Sequence, residues 1–284
     1  MSEATKAGLL AIDVGSSRVK LGWFAAAAGS CSEPQPGGLP ITSPTSPEAE
    51  AICELSHRGV EPQAFDRGLA EWLDQQPCEA AASWLASVHP EATARVLQVL
   101  AARQYAEPRV LSAAELPISI HVERPELVGI DRLLNALAVN QLRESGRAAI
   151  VVDLGTANTV DVVDEEGVFQ GGAILPGIAM SAEALHTGTA SLPLLPTDCF
   201  DVPPAAVGKS TQQAIAAGLY WGTVGAVRQL IERLSATCDR SPQLFVTGGD
   251  AAQIAPQLAS EERPLRVIPH LVLAGIFLAA EGRS

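Results

Sequence analysis

The chain has no Cys-x-x-Cys pair, and its cysteines, at 31, 53, 78, 199 and 238, are odd in number and irregular in spacing. That pattern argues against a disulfide framework and against a zinc cluster. The histidines (His57, His89, His121, His186 and His270) are scattered, and no His-Glu-x-x-His occurs. No apolar run reaches the roughly 18–20 residues that a membrane helix needs. The polar start, Met1 to Lys6, is followed by no apolar leader segment. Gly-x-Gly-x-x-Gly is absent, which removes the dinucleotide-binding fingerprint. Positive charge is scarce, with 19 Lys+Arg against 32 Asp+Glu and a net charge of −13. Such a surface repels nucleic acid and anionic membrane, and an anion binds only where local groups gather positive potential. The expectation is a soluble, reduced, cytoplasmic protein with neither kind of partner.

What is present is a packed globular composition: 284 residues, 47% hydrophobic and 18% charged. That is apolar material for two cores without staples. Leu9–Ile12 and Val19–Phe24 read as strands around the polar turn Asp13–Val14–Gly15–Ser16–Ser17. The segment from Ala25 to Pro47, rich in Gly, Pro and Ser, reads as an irregular connection. Helical periodicity runs from about Ala64, again from Ala92 to Gln104, and strongly from Ile130 to Leu142. Short strands are expected at Val110–Leu111 and Ile118–Ile120.

Ala148–Leu154 is a continuous apolar strand, the signature of burial on both faces. It ends in Asp153–Leu154–Gly155–Thr156–Ala157–Asn158–Thr159, and strands follow at Val160–Val163 and Val168–Gly172. Helices are expected over Pro176–His186 and Ser210–Leu234. A strand at Gln243–Val246, a helix through Leu258, a strand at Val267–Ile268 and a helix over His270–Ala280 close the chain. Ile12–Asp13–x–Gly15 recurs as Val152–Asp153–x–Gly155 about 140 residues on. The repeat predicts two related domains, 1–145 and 146–284.

Four stretches can carry chemistry. At Asp13–Lys20 a Gly-containing turn exposes backbone N–H groups that suit phosphate oxygens. Asp13 offers an oxygen ligand to Mg²⁺ and Lys20 a point charge, while an ordinary polar hairpin tip is the plainer reading. Asp153–Thr159 repeats the arrangement with two hydroxyls. The pair of matching turns favours phosphate binding, at Asp13, Gly15 and Lys20 and at Asp153, Gly155 and Thr156. Thr247–Gly248–Gly249–Asp250 is either a nucleotide-flanking loop or a plain strand-to-helix turn. Gly129–Ile130–Asp131–Arg132 sits where the strong helix begins. Asp131 reads equally as a dipole-stabilising residue or a base, and Arg132 as a surface charge or a carboxylate clamp. Gly208–Lys209–Ser210–Thr211 imitates the end of a P-loop, but Pro203 stands where its first glycine belongs.

Taken in order, these motifs resemble the type III pantothenate kinase family, over nearly the whole chain. The resemblance rests on Asp13–x–Gly15 with Lys20, and on Pro125–Glu126–Leu127–Val128–Gly129–Ile130–Asp131–Arg132 with Asn135. Asp153–x–Gly155–Thr156–Ala157–x–Thr159 and Gly171–Gly172–Ala173–Ile174–x–Pro176–Gly177 follow. Thr189–Ala190–x–Leu192–Pro193, Gly208–Lys209–x–Thr211 and Thr247–Gly248–Gly249–Asp250 complete the set.

The resemblance implies two duplicated actin-like (ribonuclease H-like) α/β domains with a cleft between them. It implies phosphorylation of pantothenate by ATP, the first step toward coenzyme A. Asp131 is then the base, Gly129 and Arg132 line the pantothenate pocket, and Thr189 reaches it from the partner of a homodimer. Asp13, Gly15 and Lys20 handle phosphate and Mg²⁺. Gly155 joins Asp153 and Thr156, which face the phosphates and a monovalent cation, K⁺ or NH₄⁺. Gly248 and Gly249 flank the nucleotide. The chain departs from the family at Ser16–Ser17–Arg18, where Asn-Thr-Asn is usual, and at Asn158, which replaces a threonine. Transfer to another small hydroxy acid or sugar, and a non-catalytic ligand-binding regulator, are the competing readings.

Overall fold

The computed structural model describes residues 8–24, 46–76, 82–260 and 264–282. The expected irregular connection from Ala25 lies, up to residue 45, outside the described residues, as do Cys31 and Cys78. The first part of the chain gives β1 (Leu9–Val14), β2 (Arg18–Phe24), β3 (Ala51–Ser56), α1 (Pro62–Leu73), β4 (Ala82–Ser87), α2 (Pro90–Ala102), β5 (Arg109–Val110) and α3 (Ile130–Leu142). The second gives β6 (Ala149–Leu154), β7 (Ala157–Val163), β8 (Phe169–Pro176), α4 (Ile178–Thr187), α5 (Thr211–Ser235), β9 (Gln243–Thr247), α6 (Ala251–Leu258), β10 (Leu265–Val267) and α7 (Leu271–Glu281).

Two five-stranded sheets result, ordered β3-β2-β1-β4-β5 and β8-β7-β6-β9-β10. The plan is the same in both. A central strand pairs antiparallel with the next strand in sequence and parallel with the first strand beyond a helical segment. The duplication read from the two Asp-x-Gly turns is thus a duplication of topology. Two strands, β3 and β4, carry no expectation from the sequence reading. At Ile118–Ile120 the structure has a single bridge, Ile120 to Phe169, in place of a strand.

Two compact units form, and they are not consecutive stretches of chain. Of the described residues, one unit comprises those up to Pro117, Glu126–Leu142 and those from Val272; the other comprises Ile118–Pro125 and those from Arg143 to Leu271. In the first unit Leu10, Ile12 and Val14 of β1 and Val19, Leu21 and Trp23 of β2 pack against Phe65 and Leu69 of α1 and Val96 and Leu100 of α2. Proline at the first position of each of these helices pre-sets the entry turn. His89 caps α2 by accepting the Ala92 N–H at its Nδ1 (3.2 Å).

The opposite face of the first sheet meets α7. Phe24 stacks on Phe277 at 4.7 Å between ring centres. A Cβ on Gly22 would come within 3.1 Å of the Leu273 side chain. α7 also lies on α3, so closely that a Cβ on Gly275 would stand 2.3 Å from the Leu134 carbonyl oxygen. In the second unit Ile150, Val152, Val160, Val162, Leu244 and Val246 pack on Tyr220, Val224 and Val227 of α5 and Ile254 of α6. Cys53, Cys199 and Cys238 are free thiols, and burial pushes the first and last of them up in pKa.

Candidate active site

The β1–β2 hairpin brings Asp13, Gly15 and Lys20 together. Asp13 and Lys20 stand directly opposite each other across the two strands, and Lys20 is opposite Glu54 of β3 on its other side. Alternation along a strand puts this row on the sheet face away from α1 and α2, because Ile12 and Val14 supply the other face. Asp13 is 8% exposed. The turn itself is tied at its carbonyls. The Gly15 N–H donates to the Arg18 carbonyl (2.9 Å) and the His57 N–H to the Ser17 carbonyl (3.1 Å). The ring Nε2–H of His57 donates to the Gly15 carbonyl (2.9 Å). Arg18, the charged departure in this turn, pairs with Glu54 at 3.4 Å across the surface. Such an exposed pair contributes at most about 1 kcal/mol.

Gly129, Asp131 and Arg132 are assembled by the first turn of α3. Ile130, Leu133, Leu134, Leu137 and Ala138 bury one face of that helix and fix its start. The Arg132 N–H is shared between the Gly129 carbonyl (3.1 Å) and Oδ1 of Asp131 (2.9 Å). A Cβ on Gly129 would lie 2.5 Å from the same Oδ1. The Asp131 carboxylate folds back over this glycine, and a side chain at 129 would have to displace it. Both Asp131 and Arg132 are half-buried.

In the second unit the β6–β7 turn is ringed by glycines. Gly248 has φ +101°, and a Cβ there would stand 2.1 Å from the Leu154 carbonyl and 2.6 Å from Oδ1 of Asp153. The Asp250 N–H donates to the Leu154 carbonyl at 3.0 Å, which pins the Thr247–Asp250 turn, Gly249 included, against the end of β6. From the other side the Gly177 N–H donates to the Thr156 carbonyl at 3.0 Å. A Cβ on Gly177 would meet the Gly155 carbonyl at 2.0 Å. Asp153, Gly155, Thr156 and Gly248 therefore come together around bare backbone. Thr159 is opposite Asp153 on the neighbouring strand, and Thr247 is opposite it on β9.

Two residues change the local expectation. Asn158 is 1% exposed. Its Oδ1 accepts the Gly155 N–H (3.1 Å), so that donor is occupied within the turn. Gly177, quoted in a motif but given no role there, proves to be the clamp on this turn; its signal was a glycine directly after a strand-ending proline. Thr189 stands just past α4, exposed, with its hydroxyl donating to the Leu185 carbonyl (2.7 Å). The imitation P-loop is a helix cap. Ser210 accepts the Gln213 N–H (3.2 Å), and Gln213 Oε1 accepts the Lys209 N–H (2.9 Å).

A family model described as type III pantothenate kinase matches residues 9–233. A type III pantothenate kinase of Moorella thermoacetica is 32% identical over 274 residues, 96% of this chain and 98% of the relative. Another, from Gluconobacter oxydans, is 44% identical over 166 residues, and the match covers 58% of each chain. Among solved structures, the activator of 2-hydroxyisocaproyl-CoA dehydratase from Clostridium difficile, with bound ADPNP, shares the fold. Its TM-score is 0.54 at 13% identity, over 97% of this chain and 95% of that one. The chain belongs to the type III pantothenate kinase family, kinases that use ATP and pantothenate on the duplicated actin-like fold.

Proposed function

We propose that Asp131 is the base that accepts the hydroxyl proton when the γ-phosphoryl group of ATP passes to pantothenate. The observation that carries this reading is the start of α3, where a carboxylate folded over Gly129 is followed by a guanidinium in the same helical turn. Arg132 holds the pantothenate carboxylate through its fork of donors, and Gly129 leaves room for the substrate chain. A carboxylate is too weak a base to strip an alcohol before bonding begins. It orients the hydroxyl and takes its proton late, which a loose phosphoryl-transfer transition state allows. The new O–P bond forms, the β–γ bridging bond breaks, ADP leaves, and the proton rests on Asp131.

Asp13, Gly15 and Lys20 serve the phosphates in the first unit, and Asp153, Gly155 and Thr156 in the second. Lys20 contributes fixed positive charge, and the glycine backbones allow oxygen atoms to approach closely. Carboxylate oxygen is the donor type Mg²⁺ takes, and Asp13 and Asp153 stand near the ends of equivalent strands. Asp13 would offer such an ion an oxygen in the first unit and Asp153 in the second, and the ion when bound neutralises phosphate charge. Asp153 and Thr156 would also face the monovalent cation, K⁺ or NH₄⁺. Gly248 and Gly249 flank the nucleotide. Thr189 of the partner subunit completes the pantothenate pocket in a homodimer.

The test is formation of phosphopantothenate by purified protein with pantothenate, ATP, Mg²⁺ and K⁺. The expected result is product from the wild type and a kcat lower by about 10²–10⁴ in Asp131→Asn, with pantothenate still bound. No product under any nucleotide or cation, from folded protein that binds pantothenate, would move the reading to a ligand-binding regulator. The occupied Gly155 N–H is the observation that favours that second reading.

A further inference from the structure

We propose that His57 is a positioning residue for the ATP phosphates, acting through the backbone of the β1–β2 turn. The inference rests on the phosphate role of that turn set out above.

An anion-binding turn must keep its carbonyl oxygens away from the anion, because each carbonyl dipole repels negative charge. In this turn the carbonyls of residues 15, 17 and 18 are all held by named donors. Arg18 O takes the Gly15 N–H, at 2.9 Å. Ser17 O takes the His57 N–H at 3.1 Å. Gly15 O takes the His57 ring at 2.9 Å. One residue just past β3 thus secures two of the three.

The Gly15 bond has a direct geometric consequence. In a trans peptide the C=O and the next N–H point in opposite directions from one plane. Drawing the Gly15 carbonyl toward His57 therefore aims the Ser16 N–H the opposite way. A turn free to rotate that peptide plane would present the carbonyl instead, and glycine at 15 makes such rotation easy. His57 removes that freedom.

The imidazole is itself held in place. Its ring packs edge-on to His89 at 4.7 Å and to Phe65 at 6.5 Å between centres. His89 is fixed in turn as the cap of α2. The ring lines a cavity of about 500 Å³ that also touches Ser16, Arg58 and Arg95. A free imidazole has room to enter that space.

The experiment measures KM for ATP and for pantothenate, with kcat, in His57→Ala, His57→Gln and His57→Asn, and includes Lys20→Ala. Gln carries its amide near the Nε2 position, whereas the Asn amide stops short of it. The expected result is an ATP KM raised about five- to thirtyfold in Ala and Asn, and within about twofold of wild type in Gln. The range corresponds to one lost hydrogen bond, about 1–2 kcal/mol. Pantothenate KM stays constant, and imidazole added to His57→Ala lowers its ATP KM. An unchanged ATP KM in Ala and Asn would overturn the proposal, as would equal behaviour of Gln and Asn, or a joint rise of both KM values. If Lys20→Ala raises ATP KM and the His57 variants do not, only the role of His57 falls. If Lys20→Ala is also silent, the phosphate assignment of the turn falls with it.

Discussion

Asn158 shows how far a single buried side chain can reset a turn. It accepts the Gly155 N–H from a position 1% exposed, and its amide nitrogen lies 3.5 Å from the Pro176 carbonyl. Replacing it with alanine strands a backbone donor inside the turn. Asn158→Ala should lower stability by about 1–3 kcal/mol, measured as a reduced midpoint of urea unfolding with an unchanged slope. At this scale the sequence was informative about pairs and silent about bonds. Asp13 and Lys20 could be assigned to one turn from spacing alone, and the register places them face to face. That the Asp131 carboxylate folds onto Gly129, or that Asn158 spends itself on Gly155, depends on rotamers that no spacing encodes.

Elements were legible where periodicity is long and unambiguous. α3 runs from Ile130 to Leu142 as its apolar face predicts, and β6 is the buried apolar strand expected. β3 and β4 escaped because their signals are short. β3 alternates half-buried and exposed residues over AICELS, the pattern of an edge strand. β4 is ASWLAS, with small residues that advertise neither helix nor strand. Helix contacts are less visible still. The approach of α7 to α3 leaves no space for a methyl group at Gly275. Gly275→Ala gains helix propensity of about 1 kcal/mol, but forcing a Cβ against the Leu134 backbone costs about 1–3 kcal/mol or more. The net expectation is a lower melting temperature in calorimetry, the reverse of what an exposed mid-helix glycine would give.

Across the whole molecule, the duplicated plan was written in two short Asp-x-Gly turns, and both sheets repeat it strand for strand. The place of the last helix was not, because α7 joins the first unit through contacts with residues some 140 to 250 positions earlier in sequence, Leu134 and Phe24 among them. A fragment of residues 1–145 should therefore lack a cooperative thermal transition by circular dichroism. Supplying residues 264–284 as a separate segment should restore one. The same feature imposes an order on biosynthesis. Between the end of α3 and the arrival of Val272, the ribosome must make the roughly 130 residues of Arg143–Leu271. At about 5–20 residues per second that interval lasts roughly 6–25 s. Throughout it the face of the nascent first sheet that carries Gly22 and Phe24 waits for its cover, a sticky intermediate that chaperones would be expected to attend.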